Sequence, residues 1–268
     1  KTSPTQPHPT WPLAFERQNF NKDVLIDFTP ELRAEAVEIM KQFRIGPLFT
    51  PPSLVEEDGL QGTLALPSIM GGANWPGATL DSETGVLFIP SVTGASALAV
   101  GKPDPARSNL RYNRVGGIRP TGPQGLPLVK PPWGRITAID LNTGDHLWMV
   151  PNGNTPEYVR EHPALQGLEI PRTGQAGRAG AMTTKTLLFA GEGSGMYAEP
   201  KGSGGPMLRA YNKATGEIVS ELELPYNQTS VPMSYLHEGR QYILIAGGGS
   251  RGAQPYERAE LIAFALPR

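Results

Sequence analysis

The chain has 268 residues, a formal net charge of −1 and no cysteine. A balance so near neutrality excludes the basic field that nucleic acid or an anionic membrane surface would need. The absence of cysteine excludes disulfides, thiol nucleophiles and thiolate metal sites. Gly (32) and Pro (28) are abundant while apolar residues make up only 38%, the mix that many turns and short strands produce.

The first stretch, residues 1–28, is polar and proline-rich and reads as an extended connector wrapped on a surface. It holds no apolar run of the signal-peptide kind, so either a signal has been removed or the chain is an internal piece. A helix follows: Thr29 can cap it and Pro30 suits its first turn. Leu32, Ala36, Ile39, Met40 and Phe43 then share one face, and Gly46-Pro47 stops it. The acidic run Glu56-Glu57-Asp58 reads as a solvated loop. No apolar stretch is long enough for a membrane-spanning helix. His8, His146, His162 and His237 are scattered without metal-ligand spacing.

From Gly46 onward the pattern is short strands and turns. Ala78-Thr-Leu-Asp-Ser-Glu-Thr-Gly85, Ala138-Ile-Asp-Leu-Asn-Thr-Gly144 and Ala210-Tyr-Asn-Lys-Ala-Thr-Gly216 repeat one design: a strand, a turn opened by Asp or Asn and closed by Thr-Gly, then a second strand. The opening side chain bonds nearby amides, and glycine supplies the positive φ. The copies lie roughly 60 to 70 residues apart, more than a minimal four-stranded blade. The excess falls in Gly/Pro-rich inserts at Thr93–Pro132 and Gly191–Pro206. Strands over Lys185–Ala190, Arg240–Ala246 and Glu260–Leu266 complete the set, and Gly247-Gly-Gly249 reads as a strand-end turn. The pattern predicts an all-β chain of three to four propeller blades with one short amphipathic helix, residues 29–268 forming the blades. Such an arc is too few blades for a closed ring. A sandwich or small barrel with coincidental turns is the alternative.

Several segments carry a resemblance. Ile45-Gly-Pro-Leu-Phe-Thr-Pro-Pro-Ser53, Gly71-Gly-Ala-Asn-Trp-Pro-Gly-Ala78, Pro131-Pro-Trp-Gly-Arg-Ile-Thr-Ala-Ile-Asp-Leu-Asn-Thr-Gly144 with Trp148, and Val231-Pro-Met-Ser-Tyr235 resemble the carboxy-terminal part of pyrroloquinoline-quinone (PQQ) dehydrogenases, the group of quinoprotein alcohol and glucose dehydrogenases. The resemblance implies an eight-bladed β-propeller with PQQ in its axial funnel and a calcium or lanthanide ion as Lewis acid. It implies oxidation of an alcohol or sugar, with electrons leaving to a cytochrome c or a quinone, in the periplasm, with or without membrane association through another segment or subunit. Asn74 and Trp75 match the family's pocket-floor segment, an amide for quinone or carboxylate oxygens and an indole for a flat wall. Arg178, in Gln175-Ala-Gly-Arg-Ala-Gly180, matches a glycine-rich segment near the cofactor and suits a PQQ carboxylate. Trp148 and Trp133 read as packing, with Trp148 docking neighbouring blades. The third repeat carries Ser220 in its place, and that junction should be held less firmly.

The family's catalytic base, metal ligands and quinone-facing lysine match nothing here. The resemblance therefore implies that an amino-terminal half, joined or separate, supplies them, and that this chain alone is inactive. A non-catalytic propeller scaffold for protein–protein interaction is the competing function. A hydrolase would need a nucleophile or paired acids facing the channel, and none is distinguishable.

Overall fold

The structure, a computed structural model, describes residues 5, 7–55, 59–116, 119–193, 204–248 and 259–265. The acidic run Glu56–Asp58, Gly249, Leu266, the first four residues and most of the Gly191–Pro206 insert lie outside them.

The helix α1 spans Pro30–Met40 and begins as its sequence dictates: Thr29 Oγ1 accepts from Leu32 N at 3.2 Å. Leu32, Ala36 and Met40 are buried on one face. That face joins a core with Phe20, Leu25 and Ile26 from the connector and with Leu126, Leu128, Val129 and Trp133. The connector is thus more than a surface wrap. Ile26 N donates to Leu128 O at 3.0 Å and Lys130 N to Val24 O at 2.9 Å. A small sheet completes this region: β1 (Ser53–Leu54), β2 (Thr63–Ala65), β5 (Ser96–Gly101) and β6 (Asn113–Arg114). Its β1–β5 pairing is parallel. A four-residue helix α2 spans Glu157–Arg160.

The rest forms sheets stacked as blades. The first contains β3 (Thr79–Asp81), β4 (Val86–Val92), β7 (Gly134–Asp140) and β8 (His146–Pro151), in that order and antiparallel throughout. The second contains β9 (Ala181–Thr183), β10 (Leu187–Gly191), β11 (Met207–Asn212) and β12 (Ile218–Glu223), with the same antiparallel pattern. The third contains β13 (Asn227–Gln228), β14 (Met233–His237), β15 (Arg240–Gly248) and β16 (Ala259–Ala265). Here β13 and β14 share one side of β15 and β16 takes the other.

The three repeats are three copies of one turn. The amides of Gly85, Gly144 and Gly216 donate to the carbonyls of Asp81, Asp140 and Asn212 at 2.7–2.8 Å. The same three side chains accept from Glu83, Asn142 and Ala214 amides. The glycine φ values are 76, 81 and 75°, where any other residue pays for its Cβ. Yet the copies do not mark three blades. The first joins β3 to β4 and the second joins β7 to β8 of the same sheet, because the insert after β4 leaves the sheet to build the small one and the chain then returns.

Blade docking follows from the register. Phe88, Ala138 and Trp148 lie directly opposite one another across β4, β7 and β8. Their face packs on Ala181, Leu188, Ala190 and Tyr211 of the second blade. Trp148 Nε1 donates to Lys213 O at 3.1 Å, its ring lies 5.6 Å from Phe88, and a Cβ on Gly216 would sit 2.8 Å from the indole. Lys213 Nζ reaches back 2.5 Å to Asp81 of the first blade, and with Thr84 holds that carboxyl below the usual range. Ser220, opposite Ala210, faces a smaller core of Leu208, Leu224 and Ile245. Trp148→Ala is expected to lower the unfolding free energy by about 2–3 kcal/mol, less than full burial of an aromatic would give. Ser220→Ala should change it by less than ~0.5 kcal/mol. Denaturant unfolding measures both, and equal losses would contradict the docking role.

Candidate functional site

The first strands of the two complete blades lie side by side. Thr183 N donates to Thr79 Oγ1 at 3.3 Å, and Thr183 Oγ1 donates to Leu80 O at 3.4 Å. Blades converge in this way at the edge nearest their common axis. The loop 71–78 leads into β3 and the loop 174–180 into β9, so the two segments occupy equivalent places in successive blades at that edge.

Asn74 and Arg178 meet there. Asn74 Nδ2 donates to Met70 O at 2.8 Å, and Arg178 Nη2 donates to the same carbonyl at 3.3 Å. Both side chains line a small crevice with Gly72, Pro90, Ser91 and Gly177. Arg178 also lines a cleft of about 210 Å³ beside it. That cleft is walled by Ile69, Met70, Val92 and Ala95, by the backbone of Gly71 and Gly72, and by a second guanidinium, Arg119.

Trp75 is not part of this. The indole is 96% exposed and lines neither cavity. The local turn gives the reason: Asn74 Oδ1 accepts from Trp75 N at 2.7 Å and Gly77 N donates to Asn74 O at 2.8 Å, which closes the loop on itself and turns the ring outward. The structure thus brings Trp75 to neither cavity, while it does bring the Asn74 amide and the Arg178 guanidinium together.

Three participants gave no sign in the sequence. Arg119 sits in a Gly-rich insert with no periodicity to place it. The Met70 carbonyl is backbone. Glu16, in the polar connector, lies beneath the cleft and is 5% exposed. A lone acid in a proline-rich stretch reads as solvated, and nothing in its neighbours marks it as buried.

The arrangement suits a planar acid. Apolar side chains flank the cleft, close approach is open at the glycine pair, and two guanidiniums on its lining offer positive charge to a carboxylate. PQQ, an aromatic orthoquinone bearing carboxylates, fits such walls. The described residues supply no metal site of their own, since among them no group of three or more His, Asp or Glu side chains stands close enough to hold an ion.

Comparison with known proteins gives the family. The family model described as the β-propeller domain of PQQ glucose/ethanol/alcohol dehydrogenases matches residues 1–243. The quinoprotein glucose dehydrogenase of Escherichia coli (strain K12) is 28% identical over 246 residues, covering 84% of this chain and 29% of that protein. Quinoprotein glucose dehydrogenase A of Acinetobacter calcoaceticus is 26% identical over 243 residues, covering 85% and 28%. The quinate/shikimate dehydrogenase (quinone) of Acinetobacter baylyi is 27% identical over 250 residues, covering 85% and 29%. The chain thus spans under a third of the length of these relatives. Among solved structures, a quinohemoprotein alcohol dehydrogenase from Pseudomonas putida HK5 superposes with a TM-score of 0.52 at 19% identity over 78% of this chain and 28% of that one. That likeness establishes the fold as propeller blades.

Proposed function

We propose, from the premise that this chain belongs to the β-propeller family of PQQ glucose/ethanol/alcohol dehydrogenases, that its cleft is one wall of the PQQ site of an enzyme oxidising CH–OH groups. The observation that carries this is the convergence of Asn74 and Arg178, from separate blades, on the Met70 carbonyl at the edge of a cleft with two guanidiniums. When bound, PQQ supplies the acceptor for the electrons and hydrogen of the alcohol carbon.

The chain's own residues then bind and orient. Arg178 and Arg119 hold carboxylates, and charge-assisted bonds of this kind are the strong ones. Asn74 is fixed by Met70 O on one side and by the Trp75 amide on the other, so its position is set before a ligand arrives. Ile69, Val92 and Ala95 exclude water from the ring face. Among the described residues lining the cleft there is no carboxylate or histidine to accept the alcohol proton, and the base is assigned elsewhere in the enzyme.

The finer parts of the reading are proposals of the same kind. The substrate is an alcohol or sugar. A calcium or lanthanide ion enters with ligands from outside these residues. Electrons pass to a quinone or a cytochrome c; one relative is named for a quinone acceptor. The remaining blades come from an amino-terminal half, in keeping with the 28–29% of the relatives' length spanned here. The compartment is periplasmic.

The test is a PQQ titration, followed by the cofactor's own absorbance, on the natural polypeptide that contains these residues. Arg178→Ala removes a charge-assisted contact of about 1.5–3 kcal/mol and should weaken binding roughly 10–100-fold. Asn74→Ala should cost about tenfold, and Trp75→Ala far less, with melting temperatures unchanged throughout. An Arg178→Ala protein that binds PQQ as tightly as the parent would rule out the assignment.

A further inference from the structure

We propose that Glu16, carried in on the connector, is a positioning residue of the cleft: it holds the floor on which Asn74 and Arg178 are arranged. The inference rests on the PQQ reading of the cleft and deepens it.

Glu16 Oε1 accepts from the neighbouring Arg17 amide at 2.9 Å, and its other partners are remote in sequence. Its Oε1 accepts from Thr93 Oγ1 at 2.9 Å and from Arg135 Nη2, and Arg135 Nη2 also donates to Thr93 Oγ1. Thr93 lines the cleft. Both charged partners are 5% exposed. A buried charge pair gives little net stability compared with apolar residues of the same shape, so stability alone is a weak reason for it.

The second contact is with Gly72, also a lining residue. A Cβ built on Gly72 would stand 2.6 Å from Glu16 Cγ and 3.2 Å from Oε2. The Glu16 side chain therefore fills the space below this glycine, and Gly72 must be glycine for the loop to settle on it. From above, Val92 N donates to Gly72 O at 2.9 Å. The loop is gripped between β4 and Glu16, two residues from the Met70 carbonyl that receives Asn74 and Arg178. Glu16 Oε2 has no hydrogen-bond partner in the structure.

The connector is fastened on both sides of Glu16. Arg17 Nη2 donates to Pro131 O at 2.5 Å, Trp11 Nε1 donates to Thr143 O at 2.8 Å, and His146 Nε2 donates to Leu13 O at 2.9 Å. Glu16 is thus held from its own segment as well as by Arg135, as a support must be if it is to set the place of something else.

Two double variants separate shape from charge. Glu16→Gln with Arg135→Met removes both charges but keeps the side chain under Gly72 and an acceptor for Thr93. Glu16→Ala with Arg135→Met removes the charges and the support together. Neither leaves a buried charge alone. In the natural polypeptide both should melt within a few degrees of each other. In a PQQ titration the first should bind within about threefold of the parent, and the second roughly tenfold or more weaker, the scale at which a site suffers from loss of its supporting residues. Equal affinities for the two would overturn the inference while leaving the cofactor assignment standing. If the parent itself binds no PQQ, the assignment falls and the inference with it. Should the alanine variant fail to fold, Gly72→Ala probes the same contact from the other side. It should weaken PQQ binding to a similar degree, and unchanged binding would again overturn the role.

Discussion

Replacing Arg209 by methionine is expected to lower the unfolding free energy by about 3–5 kcal/mol, the cost of removing one partner from a buried ion pair. Arg209 lies on β11, is 0% exposed, and faces the first blade together with Tyr211. Its Nη1 donates to Glu192 Oε1 at 2.8 Å, its Nε to Glu221 Oε1 at 2.6 Å, and its Nη2 to Asn154 Oδ1 at 3.1 Å. Burial works against its charge, but Glu192 and Glu221 outweigh it and raise its pKa. Glu192 is only 2% exposed and also accepts from Asn154 N at 3.0 Å. Asn152 completes the junction by donating to Gly191 O and accepting from Tyr211 OH at 3.0 Å. Burial pushes the Tyr211 phenol up to about 12, so it remains a donor across the ordinary pH range.

With methionine at 209, Glu192 keeps among the described residues only the Asn154 amide, in a place almost closed to solvent. Arg209→Met with Glu192→Gln should recover most of the loss, because it removes the stranded charge instead of one partner. Denaturant unfolding of the two variants checks this. A single variant within 1 kcal/mol of the parent would show the pair to be solvated, contrary to its geometry. The network also reaches the crevice beside the proposed PQQ cleft: a Cβ on Gly177, next to Arg178, would stand 2.0 Å from the Glu192 carbonyl. The single variant should therefore loosen PQQ as well.

What the sequence disclosed of this fold is what local chemistry determines. Asp81, Asp140 and Asn212 with their closing glycines form turns wherever they stand, and the Thr29-Pro30 start makes a helix whatever it packs against. Sheet membership is not local. The repeat could not say that its first two copies share a sheet, since that depends on where the intervening residues 93–132 go, and their Gly/Pro content carries no periodicity. The same division holds at the site. Asn74 and Arg178 were legible because a segment of distinctive residues surrounds each, and Trp75 shared that segment. Its outward turn depends on which way Asn74 bonds, and no spacing rule reports that. Glu16 was invisible because burial of an acid is decided by its partner, here 119 residues away.

Residues 1–268 produced by themselves are expected to self-associate, and the third blade is the reason. Its two faces differ. Ile243, Ile245 and Phe264 pack on Leu208 and Leu224 of the second blade. The opposite face brings Met233, Tyr235, Tyr242, Leu244 and Leu261 into register across β14, β15 and β16. Leu261 is 73% exposed there, and Tyr235 and Tyr242 stack at 5.1 Å with their planes 8° apart. Among the described residues nothing covers this face, and β16 pairs on one side only. A flat apolar face next to an open strand edge is the usual template for edge-to-edge and face-to-face association. The first blade shows what such a face needs, since its Phe88 and Trp148 are covered by a neighbouring sheet. Sedimentation velocity on the isolated chain should therefore give concentration-dependent species larger than a monomer. Leu261→Lys with Met233→Lys places two charges on the face and should shift the distribution strongly toward monomer, with the other two blades unaffected by circular dichroism. A parent chain that sediments as a monomer at every concentration would mean that this face is satisfied within the chain. The proposal that further blades cover it in the complete enzyme would then lose its physical basis.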